Sequence, residues 1–209
     1  IGETQKETKP VFKKIAKEKD ASICFADDSE YKTYESDLKG AYQKHNIKTV
    51  LKTISELKKK GFTISEANIV SGLINVIKNT GLQGRWQVLQ LMPKIIADTA
   101  HNREGLTYTM AQIKSEAFKN LHIVLGVVND KNLDTIIGLL PKEAHYYYCK
   151  PNVQRGLEAN ILKDYFTSKN YNGQAYNSVA EAFGAAKKSA SVNDLIYVGG
   201  STFVVAEII

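Results

Sequence analysis

Apolar residues recur along this chain in two different periods, and the change between them divides it. Up to residue 85 the spacing is helical. A helix is expected over 8–19, another over 45–60 with Ile47, Val50, Leu51, Ile54 and Leu57 on one face, and a third over 66–78 carrying Ala67, Ile69, Val70, Leu73, Ile74 and Ile77 behind a Ser65 cap. Asn79-Thr80-Gly81 ends the last of these, and 82–85 forms a hinge. One short strand is expected at 21–26, followed by the polar turn Asp27-Asp28-Ser29-Glu30 and an extended stretch over 31–38.

Beyond residue 85, short continuous apolar runs alternate with helical patterns. Strands at 86–90 and 94–98, joined through Leu91-Met92-Pro93, predict an antiparallel hairpin. Strands at 121–125, 144–149 and 194–198 follow helices at 103–118, 133–140 and 179–189, with one more helix at 154–168. Such alternation predicts a mostly parallel sheet with right-handed crossovers, a Rossmann-like three-layer α/β domain.

Polar chemistry collects where these strands end. Asp98-Thr99-Ala100-His101-Asn102 follows one strand, Gly126-Val127-Val128-Asn129-Asp130-Lys131 another, and Gly199-Gly200-Ser201 a third. In an open α/β sheet the carboxyl ends of strands share an edge, and ligands bind there. An aspartate or asparagine at such a place is also an ordinary helix cap, and a single turn histidine is often only solvated. His122 and His145 in strands and His45 at a helix start lack the spacing of metal ligands and read as structural.

Two further segments sharpen the picture: Gly40-Ala41-Tyr42-Gln43-Lys44-His45-Asn46 and Gly84-Arg85-Trp86-Gln87-Val88. Together these stretches resemble the folylpolyglutamate synthase/dihydrofolate synthase family of Mur-type ligases. The counterparts there read G-x-Y-Q-x-x-N, G-R-x-Q, D-G-A-H-N, G-x-x-x-D-K-D and G-S, in the same order.

The resemblance implies a reaction in which ATP phosphorylates a carboxylate of dihydropteroate or of a folate glutamyl tail. The amine of L-glutamate then displaces phosphate to form an amide. It assigns ATP binding to Asn46, Arg85 and Asp98, glutamate binding to His101 and Ser201, and catalytic work to His101, Asp98 and Lys131. An arginine suits phosphate because its planar fork holds two oxygens at once, and an amide can read an adenine edge. The chain departs from the pattern at Thr99, where the family has glycine, and at Asn132, where it has aspartate. A β-branched threonine disfavours positive φ, so a turn that demands glycine is not expected there.

By the same resemblance, residues 1–85 are the carboxyl-terminal part of an ATP-binding central domain and 86–209 a carboxyl-terminal glutamate-ligase domain. The phosphate-binding loop and magnesium ligands are expected in an amino-terminal part preceding Ile1. The chain begins without methionine, its only methionines being Met92 and Met110. Mg2+ is therefore expected to arrive with ATP through that missing part, no metal site is expected in these residues, and the fragment alone is expected to be inactive.

Composition changes this little. With 43% hydrophobic and 24% charged residues and no apolar run near ~20 residues, the chain reads as a folded cytoplasmic protein that does not enter a membrane. Residues 1–85 carry 16 basic and 11 acidic side chains, so +5 of the net +6 lies there, much of it in Lys58-Lys59-Lys60 at a helix end. That placement, and the lack of any basic stripe with interleaved aromatics, argues against nucleic acid despite a pI near 9.1. Tyr146-Tyr147-Tyr148 reads as strand and core. Cys24 and Cys149 match no zinc or redox spacing and read as reduced core thiols. Two alternatives stand beside the folate ligase: a non-catalytic Rossmann-like nucleotide-binding module, and another Mur-type amino-acid ligase.

Overall fold

The computed structural model describes all residues from Ile1 to Ile209, and their contacts divide them into two units. The first comprises 1–38 and 42–81; the second comprises 39–41 and 82–209.

The first unit is helical: α1 (Lys9–Glu18), a 3-10 turn (Ala26–Asp28), α2 (Gln43–Lys59), α3 (Glu66–Ile74) and α4 (Val76–Thr80). Leu51, Ile69 and Leu73 form its small core, with Tyr31, Tyr34, Ile47, Ile54 and Ile64 packed around them. Ser65 caps α3 as the pattern predicts: its Oγ accepts the Asn68 N–H, and the Asn68 side chain accepts the Ser65 N–H. Ser65→Ala should therefore cost this unit about 1 kcal/mol, read from a urea denaturation midpoint.

Three expectations fail here. The strand at 21–26 does not form, because this unit contains no strand to pair with it. Its backbone bonds instead to Ile1, whose amino group donates to the Cys24 carbonyl and whose carbonyl accepts the Ala26 N–H. The helix over 66–78 is broken at Asn75. The Ile77 N–H, which a continuous helix would give to the Leu73 carbonyl, goes instead to Asp37 Oδ2 at 2.8 Å, and that carbonyl accepts the Asp37 N–H. Cys24 is half-buried rather than in the core.

In the second unit β1 (Gln87–Leu91), β2 (Lys94–Ala97), β3 (Leu121–Leu125), β4 (His145–Cys149), β5 (Gly173–Tyr176) and β6 (Leu195–Gly199) form one sheet in the order β1-β2-β6-β3-β4-β5. Only the β1–β2 hairpin is antiparallel. The helices are α5 (Arg103–Ser115), α6 (Asp134–Ile137), α7 (Ala159–Thr167), α8 (Val179–Ser189) and α9 (Thr202–Ala206).

Alternation along the strands feeds two cores. Ile96, Ile123, Leu125, Tyr146, Tyr148 and Tyr197 face one layer, meeting Leu106, Met110 and Ile113 of α5 and Leu162 and Phe166 of α7. Ile95, Val124, Tyr147, Cys149, Ile196 and Val198 face the other, meeting Val179, Ala182 and Ala186 of α8 and Val204 of α9. This is the three-layer arrangement the alternation predicts. Burial pushes the Cys149 thiol up to about 12, which keeps it protonated and unreactive.

The 133–140 helix shrinks to the single turn α6. The helix expected from residue 154 begins only at Ala159, because the backbone at 155–157 is used elsewhere. The Arg155 carbonyl accepts the Asn129 N–H at 2.8 Å, and the Leu157 N–H donates to Val127 at 3.0 Å.

The amino edge of the sheet holds a buried polar cluster. His122 lies 3.0 Å from the Tyr147 hydroxyl and 3.5 Å from Asp194 Oδ2, with the His145 ring 5.3 Å away. Burial holds the His122 imidazole below its ordinary range, with His145 adding to the effect and Asp194 opposing it. Below about pH 6.5 the unfolded chain thus binds a proton that the folded chain resists, and stability falls as pH drops. The denaturation midpoint should decline from pH 7 to 5, and less steeply for His122→Asn.

Candidate functional site

Strands β2, β6, β3 and β4 are neighbours in the sheet, so the loops leaving their carboxyl ends stand side by side. Along that edge the chain sets out 98–102, Gly199-Gly200-Ser201, 126–131 and 150–157. The site is built from these four loops.

The first loop is organised by Asp98. Its carboxylate is buried, with the residue 1% exposed, and it accepts the Trp86 N–H at 2.7 Å and the Ala100 N–H at 2.8 Å. Thr109 Oγ1 lies 3.5 Å away, and the Asp98 N–H donates to the Val198 carbonyl, tying the loop to β6. The aspartate thus fastens the Gly84-Arg85-Trp86 turn to the end of β2. Gly84 (φ +68°) and Trp86 (φ +51°) both lie in the left-handed region, which is costly for a bulky residue. A Cβ on Gly84 would sit 2.8 Å from Thr99 Cγ2, so glycine suits that position twice over. Thr99 itself keeps negative φ, as its branching requires. Its hydroxyl accepts from Arg85 Nη1, which lies 3.4 Å from the Gly84 carbonyl.

His101 Nδ1 lies 2.9 Å from the Thr99 carbonyl. A carbonyl can only accept, so Nδ1 carries the proton and Nε2 is left to act on other groups. Asn102 caps α5 by accepting the Gly105 N–H at 2.8 Å.

On the second loop, Gly200 (φ +88°) makes the turn between β6 and α9. A Cβ there would meet Leu125 Cδ1 at 2.6 Å and the Gly126 carbonyl at 2.9 Å. Ser201 is buried, and its Oγ accepts the Phe203 N–H at 3.2 Å as the α9 cap, leaving its O–H as a donor. On the third loop, the Lys131 N–H donates to the Val128 carbonyl, and Asn132 Oδ1 accepts the Asp134 N–H at 3.0 Å. Asn132 therefore orders the turn that follows although it lacks an aspartate's charge.

The structure brings His101, Lys131 and Ser201 together around one cleft of about 90 Å³, with Asp130, Arg155 and Phe203 completing its walls. Asp98 holds the turn that carries Arg85 beside β2, and neither residue lines this cleft. Asn46 belongs to the first unit, on the first turn of α2, where its Nδ2 donates to Gln43 Oε1 at 2.9 Å. It opens onto a groove along α2 formed by Thr49, Val50, Thr53 and Ile54.

Two residues escaped the sequence reading. Arg155 fell within an expected helix, although Pro151 and Gly156 on either side of it were available as loop signals. Gln112 of α5 clamps residues 39–41 into the second unit, its Oε1 accepting the Ala41 N–H at 2.6 Å and its Nε2 donating to the Lys39 carbonyl at 3.0 Å. Nothing in the local pattern of α5 marks that glutamine. No three His, Cys, Asp or Glu side chains stand close enough to hold a metal ion.

Known proteins share these features. The chain is 30% identical to the dihydrofolate synthase/folylpolyglutamate synthase of Escherichia coli over 158 residues, which is 74% of this chain and 35% of that protein. It is 29% identical over 191 residues to a probable bifunctional folylpolyglutamate synthase/dihydropteroate synthase of Haloferax volcanii, covering 90% of this chain and 22% of that one. Among solved structures, a Mycobacterium tuberculosis folylpolyglutamate synthase complexed with ADP and AMPPCP superimposes with a TM-score of 0.79 at 20% identity, over 99% of this chain and 52% of its own; this likeness shows the fold. The chain spans about a third of the Escherichia coli protein's length and less of the Haloferax one. Residues 84–202 match the family model described as Mur ligase, glutamate ligase domain; the match takes in more than half of the chain, which belongs to that family.

Proposed function

We propose that this chain is the carboxyl-terminal part of an ATP-dependent ligase that joins L-glutamate to a folate or to dihydropteroate through an acyl phosphate. Residues 1–85 complete an ATP-binding central domain and 86–209 form the glutamate-ligase domain. The observation that carries this reading is the gathering of His101, Lys131 and Ser201 on one small cleft at the carboxyl edge of the sheet. The relatives point the same way: an Escherichia coli FolC structure 28% identical to this chain is a complex with DHPP and ADP.

ATP supplies the phosphoryl group that activates the acceptor carboxylate. In this reading Arg85 holds phosphate oxygens by its guanidinium, and Asn46 reads the adenine from the groove along α2. Asp98 orients the nucleotide side by fixing the turn that carries Arg85. His101, through Nε2, and Lys131 serve the acyl phosphate and the incoming amine, and Ser201 gives its O–H to a glutamate carboxylate. A related structure carries Mn, AMPPNP and L-glutamate. In this reading Mg2+ arrives with ATP, and its ligands belong to the remainder of the enzyme.

That remainder also accounts for α1, whose Val11, Phe12 and Ile15 are exposed and which buries no residue of its own. No helix of this chain is long and apolar enough to cross a membrane, and as part of this reading we assign the enzyme to the cytosol. Because the phosphate-binding loop is assigned to the remainder of the enzyme and Arg85 alone is left to hold the phosphates, the 209-residue chain should bind nucleotide weakly and turn nothing over. Folate-dependent ATP hydrolysis by the purified chain would contradict this division of labour.

A further inference from the structure

The chain passes between the two units three times, because residues 39–41 belong to the second unit while both flanks belong to the first. Each part of this short excursion is fastened. Before it, the Asp37 N–H donates to the Leu73 carbonyl at 3.3 Å, and Asp37 Oδ2 accepts the Ile77 N–H at 2.8 Å. Within it, Gly40 is buried and the Gln112 amide grips the backbone on either side, Oε1 accepting the Ala41 N–H at 2.6 Å and Nε2 donating to the Lys39 carbonyl at 3.0 Å. Directly after it, the Tyr42 carbonyl accepts the His45 and Asn46 N–H groups and closes the first turn of α2. On that turn the buried Gln43 accepts from Asn46 Nδ2, which uses one amide hydrogen and leaves the other, with Oδ1, for a base.

We propose that Gln112 is a positioning residue for Asn46: by gripping Lys39 and Ala41 it fixes the point from which the adenine-reading turn starts. The proposal rests on the ATP-binding reading and deepens it. A side-chain amide can satisfy a backbone donor and a backbone acceptor at once, which a lysine or a glutamate cannot. The two bonds join residues 71 and 73 positions apart, so they do nothing for α5 itself and serve only the segment they hold. Reading adenine rather than guanine makes placement matter. The asparagine amide must meet a ring nitrogen and an exocyclic amine together, and a displacement of ~1 Å forfeits the pair. The clamp is half-buried and makes two neutral bonds, so losing it leaves the packed core of the second unit untouched.

The test is steady-state kinetics of the complete enzyme with ATP or GTP as the phosphoryl donor and with folate and L-glutamate saturating. Gln112→Met keeps the length and helix propensity of the side chain and makes neither bond. It should lower the ratio of kcat/KM for ATP to that for GTP about 10-fold, with KM for L-glutamate at the wild-type value. Gln112→Glu, which keeps the acceptor and loses the donor, should fall between Gln112→Met and the wild type. In an Asn46→Ala background, where the base reader is gone, Gln112→Met should change the ratio no further. An unchanged ATP-to-GTP ratio in Gln112→Met overturns the assignment, also when kcat/KM falls equally for both nucleotides, the mark of a merely structural role. So does a further fall of the ratio in the Asn46→Ala background. A wild-type enzyme that uses both nucleotides equally overturns the reading of Asn46 itself, so the two failures are told apart.

Discussion

Asp98→Asn is expected to destabilise the second unit by about 2–3 kcal/mol and to abolish ligation by the complete enzyme. Both carboxylate oxygens accept backbone N–H groups, from Trp86 and Ala100, at a residue 1% exposed. An asparagine can satisfy only one of them. Its amide nitrogen then faces the other N–H, and a buried donor is left without a partner. The damage extends to the turn, because Trp86 is held in the left-handed region and is itself buried among Ile96 and Leu106. Releasing it lets Arg85 wander. Urea denaturation of the variant checks the first effect, and a midpoint equal to the wild type's would show that the aspartate is not the fastener described.

Arg85→Ala should behave in the opposite way, leaving the fold intact and reducing kcat/KM for ATP in the complete enzyme about 100- to 1000-fold. The guanidinium donates to the Thr99 hydroxyl and lies near the Gly84 carbonyl, while the turn that carries it is held by Asp98 through the Trp86 N–H. The threonine that departs from the family pattern gains meaning here, since a glycine would offer Arg85 no hydroxyl. Thr99 thus orients the arginine before nucleotide arrives. The two variants together separate holding the turn from using it. Activity lost with stability intact for Arg85→Ala, and both lost for Asp98→Asn, is the expected pair of results.

The central strands were legible because they are buried on both faces. Leu121–Leu125 has every residue buried, and such a run cannot be mistaken for a surface helix. β5 was missed for the converse reason: Gly173-Gln174-Ala175-Tyr176 is an edge strand without an apolar pattern, and its partner β4 supplies the order. The break at Asn75 and the late start of α7 follow from hydrogen bonds made by distant residues, Asp37 in one case and Asn129 in the other. No local pattern contains them. At the candidate site, Asp98, His101, Lys131 and Ser201 could be read from motifs that follow strands. Arg155 could not, because its place depends on a loop pairing that only the folded chain displays.

The central claim is that this chain belongs to an enzyme that attaches glutamate. Mass spectrometry of the products formed by the complete enzyme from ATP, Mg2+, L-glutamate and a tetrahydrofolate or dihydropteroate acceptor tests it most directly. The account predicts an acceptor heavier by one glutamyl residue, formed together with ADP and dependent on Arg85. ATP consumed with both acceptors unchanged in mass, or an amino acid other than glutamate joined in its place, would contradict it.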